Sequence, residues 1–127
     1  MYKEKIIAIP IYDGLMKIVV CNDLKEFNDN NNGNYNASDM FAFTTWVEQK
    51  RDEEMRSIIT VCFNPDRKFY DDTIVHECYH ACVDFLTGLG VKNDDDNQEP
   101  FAYMIAWMFT EVKKALNDVA KSQKDTA

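Results

Sequence analysis

Residues Thr73–Gly90 read TIVHECYHACVDFLTGLG, and the interpretation of the whole chain depends on them. Within them His76, Glu77 and His80 form the pattern H-E-x-x-H, which contains both histidines of the chain. On a helix, side chains four residues apart project from the same face, so the two imidazoles could reach one tetrahedral Zn²⁺. The pattern therefore predicts a zinc site, with His76 and His80 as ligands and Glu77 as a general base acting on water.

The apolar residues of this stretch recur at helical spacing, which predicts a helix packed on a core. They are Ile74, Val75, Cys78, Cys82, Phe85, Leu86 and Leu89. Asp71, Asp72 and Thr73 are candidates for the N-cap, and Gly88 and Gly90 are candidates for the C-terminal stop. The motif thus lies inside a helix with recognisable ends.

A catalytic zinc site needs a third protein ligand and an open position for water. Eighteen residues separate His80 from Glu99, which is followed by Pro100, a residue that suits the first turn of a helix. A second helix that begins here and returns alongside the first would bring Glu99 towards the imidazoles, so Glu99 is the predicted third ligand. The same position also suits a glutamate that only stabilises the helix dipole. Asp94–Asp96 and Glu111 are rival carboxylates.

The residues before these helices predict a small sheet. Runs of β-branched, aromatic or alternating apolar residues indicate four strands, at Lys5–Tyr12, Leu15–Cys21, Asp39–Gln49 and Arg56–Phe63. A short helix is expected at Leu24–Asn28, followed by an asparagine-rich loop to Asn36. Short connections predict a mostly antiparallel sheet. The predicted fold class is α+β, with about four strands followed by the motif helix at residues 71–90 and a C-terminal helix at residues 99–121.

Length, charge and cysteine content limit the classes of function. The 127 residues suit a single domain in which residues 1–70 are mainly sheet and loop. A net charge of −8 disfavours nucleic acid as a partner, because phosphate binding requires a basic surface. No apolar run approaches the ~20 residues that cross a bilayer, so no membrane partner is expected. The 4 cysteines and the lack of a secretory signal predict reduced thiols and a cytoplasmic protein.

With His76, Glu77, His80 and Glu99 in this order, the chain resembles the zincin metallopeptidases, and specifically the gluzincin pattern. It looks most like the very small zincin-like proteins of phages and bacteria, in which a short sheet precedes a helix pair. The resemblance implies a zinc-dependent hydrolase that cleaves a peptide or protein substrate with metal-activated water. It also implies that an edge strand, here Met40–Glu48, pairs with the extended substrate.

Several alternatives stay open beside this resemblance. Tyr79 and Tyr103 are candidates for stabilising the oxyanion, although either tyrosine could equally belong to the core. Tyr103 also stands where related second helices often carry an acidic residue that supports a histidine. Cys62 has a rival role as a ligand, as in peptide deformylases, but the glycine-rich motif expected around it is absent.

Two further interpretations concern the metal itself. The chain could be a zinc-binding accessory or interaction protein that performs no chemistry, or a helical protein in which the histidine pair binds no metal. A purely structural zinc site usually has four protein ligands and has no need of Glu77, whereas three ligands are evident here. Cys78 and Cys82 are not counted among them, because each lies about 200° round the helix from the histidine before it and is expected to face the core.

Overall fold

The structure of the protein is a computed structural model, which describes the backbone of residues 1–31, 33, 42–51, 54–68 and 70–125. Side chains are described for residues 1–31, 33, 57–68 and 70–119. The elements in chain order are β1 (Tyr2–Ala8), β2 (Gly14–Cys21), α1 (Leu24–Asn31), β3 (Ala42–Arg51), β4 (Glu54–Phe63), α2 (Asp71–Gly88), a 3-10 turn (Asp95–Asn97) and α3 (Gln98–Asp125). The predicted α+β class is confirmed.

The strands form one mixed sheet in the order β1-β2-β4-β3. β1 and β2 form an antiparallel hairpin, as do β3 and β4, but β2 and β4 are parallel. The sheet is therefore mostly antiparallel, as predicted, but its central pair is parallel, which was not predicted. The reason is topological: the chain passes through α1 between the two hairpins, and β4 rather than β3 pairs with β2. β1 and β3 are consequently the edges of the described sheet.

The first hairpin begins earlier than predicted. Its first strand ends at Ala8 rather than Tyr12, and the amide of Ile9 donates to the carbonyl of Gly14 across the turn at 3.0 Å. Pro10 lies beyond the strand, which agrees with its inability to donate in a ladder. Ile11 has a φ of 73°, a left-handed conformation that places it in the turn rather than in a strand.

The asparagine-rich segment was wrongly predicted to be a loop from Asn28 onward, because α1 continues to Asn31. Tertiary contacts explain the difference. The side chain of Asn31 donates to the carbonyl of Phe27 at 2.8 Å and accepts from the Lys17 ammonium at 2.9 Å, which joins the end of α1 to β2. The rest of the predicted loop, residues 32 and 34–36, lies outside the described residues.

The sheet carries helices on both faces. α2 packs across β3 and β4, while α3 packs against α2 and β2. The main core lies between these helices and the sheet, and includes Met16, Ile18, Ile59, Val61, Phe63, Ile74, Phe85, Leu86, Met104 and Met108. On the other face, the fully buried Phe27 of α1 packs with Val19, Cys21 and Cys62. Because alternate residues of a strand point to opposite faces, β2 supplies side chains to both clusters.

The ends of α2 agree only partly with the prediction. The N-cap is Tyr70, with no side-chain cap, so Asp71 and Asp72 occupy the first turn, where their charges favour the helix dipole. At the other end Gly90 has a φ of 90°, and the amide of Val91 donates to the carbonyl of Leu86 at 3.0 Å. This is the glycine-terminated stop that the sequence indicates.

Candidate functional site

α2 places the two histidines of the motif side by side. The Nε2 atoms of His76 and His80 are 3.2 Å apart, and their ring centroids are 4.8 Å apart at an angle of 73°. Both side chains are exposed. The i and i+4 spacing thus brings together the two ring nitrogens that the sequence singles out.

The histidine pair lies on the outer side of α2. The buried residues of this helix define its inner side and are Ile74, Glu77, Cys78, Ala81, Cys82, Phe85 and Leu86. At 100° per residue, His76 and His80 lie roughly 150–170° from the middle of that inner side. Any metal ion or other ligand of the two imidazoles therefore approaches from solvent. The apolar core does not surround it.

The separation of the two nitrogens can be tested against zinc. Two imidazole nitrogens bound at about 2.0–2.1 Å to a tetrahedral Zn²⁺ are roughly 3.3 Å apart. The observed 3.2 Å between the Nε2 atoms of His76 and His80 fits this separation. The same distance also suits an N–H···N hydrogen bond, in which one imidazole donates to the other. The two nitrogens therefore have the separation that zinc requires, and without a metal they are close enough to hydrogen-bond to each other.

Glu77, the predicted general base, does not share the exposure of its neighbours. Glu77 is only 8% exposed, whereas His76 and His80 face solvent. An acid–base group must come within about 3 Å of the proton that it transfers, directly or through one water. The burial of Glu77 therefore limits its access to water at the exposed ring nitrogens.

Glu99 lies where the sequence predicts, in the first turn of α3, and it is exposed. Within the described part of the chain, however, no group of three or more His, Cys, Asp or Glu side chains is close enough to hold a metal ion. Glu99 therefore does not complete a three-ligand cluster with His76 and His80 in this conformation. Phe101, in the same turn of α3, is packed in the main core.

The two candidate tyrosines are both on the surface. Tyr79 is 48% exposed, and its ring lies edge-on to that of His80, with centroids 6.2 Å apart. Tyr103 is 52% exposed on α3. Their exposure excludes the alternative that either one is a core residue. Tyr79 is the one that contacts the histidine pair.

The cysteines of α2 face inward, as predicted. Cys78 and Cys82 are fully buried and free, and Cys82 Sγ lies 3.5 Å from the carbonyl oxygen of Phe101, which links α2 to the start of α3. Burial raises the pKa of both thiols to about 12. Both thiols are enclosed in the core, on the side of α2 away from the histidine pair.

The position of β3 bears on the predicted substrate strand. The segment Met40–Glu48 falls mostly within β3, which begins at Ala42 and is an edge strand of the described sheet. Met40 lies outside the described residues, as do the side chains of Phe43 and Trp46. The backbone of an edge strand has one side free of ladder partners, as strand addition requires.

A second concave region was not singled out by sequence analysis. It is a cavity of about 310 Å³ between the edge strand β1 and α3. Its lining includes Lys3 and Lys5 from the strand and Asp118 from the helix. The sequence of β1, in which three charged residues precede Ile6 and Ile7, carries no signal for this cavity, because the cavity depends on how α3 lies over the sheet.

Comparison with known proteins gave no family. No protein-family model matches the chain, and neither the curated proteins nor the solved structures gave a match. Among the described helices, none has the length and apolar character needed to span a membrane.

Proposed function

We propose that this protein binds zinc through His76 and His80. The observation that carries the proposal is the 3.2 Å separation of their Nε2 atoms, which matches two ligands of one tetrahedral ion. Both imidazoles are exposed on a regular helix, so neither needs to move or leave the core to bind. Two protein ligands leave further positions for water, a substrate group or a third residue.

The second candidate function is a zinc-dependent metallopeptidase with a zincin-like fold, which the H-E-x-x-H motif favours. Glu99 would serve as the third ligand, and Glu77 would take a proton from water and pass it to the leaving amine. When bound, the metal would polarise the scissile carbonyl and make water more acidic. Tyr79, which already contacts the ring of His80, would be placed to donate a hydrogen bond to the oxyanion.

Catalysis makes two demands that simple zinc binding does not make. Glu99 would have to approach the histidine pair, because it forms no metal-binding cluster with them among the described residues. Glu77, at 8% exposure, would have to become accessible from the outer face of α2. Zinc binding without chemistry requires neither change, and for this reason it is the function that the geometry supports best.

The test of zinc binding is the metal content of purified protein, measured by mass spectrometry beside titration with Zn²⁺. We expect about one zinc per chain in the wild type and loss of that zinc in His80→Ala. The matched control is Asp84→Ala, which removes another exposed side chain from α2 and should retain the metal. A wild type that neither contains zinc nor takes it up would refute the proposal.

Two glutamate variants separate a binding protein from a peptidase. If Glu99 is a ligand, Glu99→Gln should weaken zinc binding by about 10- to 100-fold, whereas a glutamate that only stabilises α3 should leave zinc affinity unchanged. If Glu77 is a general base, Glu77→Gln should retain zinc but lose cleavage of a peptide library. If the wild type binds zinc but cleaves no peptide, the zinc-binding function is retained and the peptidase function is refuted.

A further inference from the structure

The histidine pair supplies two zinc ligands at the surface of the molecule, and a third is not beside them. In the part of the chain that the structure describes, no other His, Cys, Asp or Glu side chain joins His76 and His80 in a metal-binding group. A structural zinc site has four protein ligands, and a catalytic site has three with a bound water. The two imidazoles of one chain are therefore half of a four-ligand site.

The exposure of the pair allows a second molecule to supply the other half. Both imidazoles are exposed on the outer side of α2, and their Nε2 atoms have the separation of two ligands of one ion. A twofold axis through the ion would bring an identical pair to the two remaining positions. Twofold dimers are the commonest oligomers, and both copies contribute the same patch to their interface. The same two residues, used twice, thus complete a tetrahedral site.

A row of apolar side chains runs along α2 beside the two histidines. Val75 and Tyr79 each precede one histidine of the pair, and they are 42% and 48% exposed. Val83, one turn further on, is half-buried. Residues spaced by four lie along one row of a helix, so these three form a continuous apolar strip. Contact with a second copy would remove this strip from water, which favours association through the outer side of α2.

Charge opposes the same contact when metal is absent. Each chain has a net charge of −8, so two copies repel each other. Without zinc, the ring nitrogens of His76 and His80 are within hydrogen-bonding distance of each other, so the pair does not require a partner. A shared Zn²⁺ would add positive charge at the point of contact and hold both copies. Association should therefore depend on zinc.

We propose that one zinc ion joins two copies of this protein, held by His76 and His80 of each copy, with Val75 and Tyr79 at the contact. The proposal rests on the zinc binding proposed above and adds the partner that completes the site. The bridge forms when there is less than one zinc ion per chain. When zinc is in excess, each pair binds its own ion and the copies separate. That second state has the one zinc per chain expected above.

Native mass spectrometry of the whole protein counts chains and zinc ions in the same species. We expect a monomer of 14.8 kDa without metal, a dimer that holds one zinc at half an equivalent, and monomers with one zinc each in large excess. Analytical ultracentrifugation under the same three conditions checks that the dimer exists in solution. His80→Ala should form no dimer under any of them. A dimer that rises and then falls as zinc is added identifies a shared ion.

Two apolar variants test where the copies meet. Val75→Ser should weaken the zinc-bridged dimer by roughly 5- to 10-fold, because both copies lose part of an apolar contact, while each monomer still binds zinc. The matched control is Leu89→Ser, at a residue that is 40% exposed beyond the end of α2. This variant should dimerise as the wild type does. Circular dichroism establishes that both variants are folded.

The outcomes separate this proposal from zinc binding itself. Protein that takes up zinc but stays monomeric at half an equivalent would overturn the bridge and leave zinc binding intact. A dimer without metal, a dimer that holds two zinc ions, or equal dimer stability in Val75→Ser and Leu89→Ser would also overturn it. If the wild type takes up no zinc, both proposals are refuted.

Discussion

Gly14 at the start of β2 lies directly against the ring of Phe85 on α2. A Cβ atom at position 14 would overlap the Cε2 and Cζ atoms of this ring and would approach the carbonyl oxygen of Ser57 to 3.1 Å. Phe85 is fully buried, and Tyr12 packs against its edge with ring centroids 6.1 Å apart. The absence of a side chain at position 14 therefore determines how closely the motif helix can approach the sheet.

Gly14→Ala should lower the free energy of unfolding by about 1–3 kcal/mol, because the new methyl group forces the Phe85 ring or the strand to shift. Chemical denaturation would measure the change. Phe85→Leu shortens the opposing side chain, so the double variant should lose less stability than the sum of the two single losses. Additive losses would show that this contact does not set the spacing of α2 and β2.

The histidine pair should contribute to stability only when metal is bound. Because both rings are exposed, His76→Ala and His80→Ala should each change the metal-free stability by less than about 0.5 kcal/mol. Zinc at a hundred times its dissociation constant should stabilise the wild type by about 2.7 kcal/mol, and it should stabilise neither variant. Thermal melts with and without zinc would test this. A large loss in the metal-free variants would instead assign the pair a structural role.

Phe27 should hold α1 on the sheet. It is the buried side chain of α1, packed with Val19, Cys21 and Cys62 on the face away from α2. Phe27→Ala should lower the free energy of unfolding by about 3–5 kcal/mol. Lys25→Ala, at an exposed position in the same helix, should change it by less than about 0.5 kcal/mol. Denaturation curves would distinguish the two, and similar losses would mean that α1 is not anchored by this ring.

Cys62 should make stability fall at high pH. Burial raises the pKa of its thiol well above the ordinary value of 9.0. As the pH rises above about 9, the unfolded chain loses this proton while the folded protein keeps it, so stability should decrease by up to about 1.4 kcal/mol per pH unit. Denaturation between about pH 9 and 10.5 would measure the slope. Cys62→Ala should have a shallower slope, and equal slopes would contradict the assignment.

Local patterns predicted the helices better than the sheet. The periodic apolar residues of α2 were identified because helical spacing is visible within one segment. The end of α1 was missed because Asn31 is held by Lys17, which lies in β2. The pairing of β2 with β4 was missed for a similar reason, since strand order depends on which distant segments come together.

By itself, the sequence determined that a helix carries His76 and His80 on one face and turns Cys78 and Cys82 towards the core. These properties follow from the 3.6-residue period and from the preference of apolar side chains for burial. Only the tertiary structure decided that Glu77 is buried, that Glu99 stands apart from the histidine pair, and that β1 forms an edge beside a cavity. Each of these depends on how separate elements pack, and helical or strand periodicity carries no information about that packing.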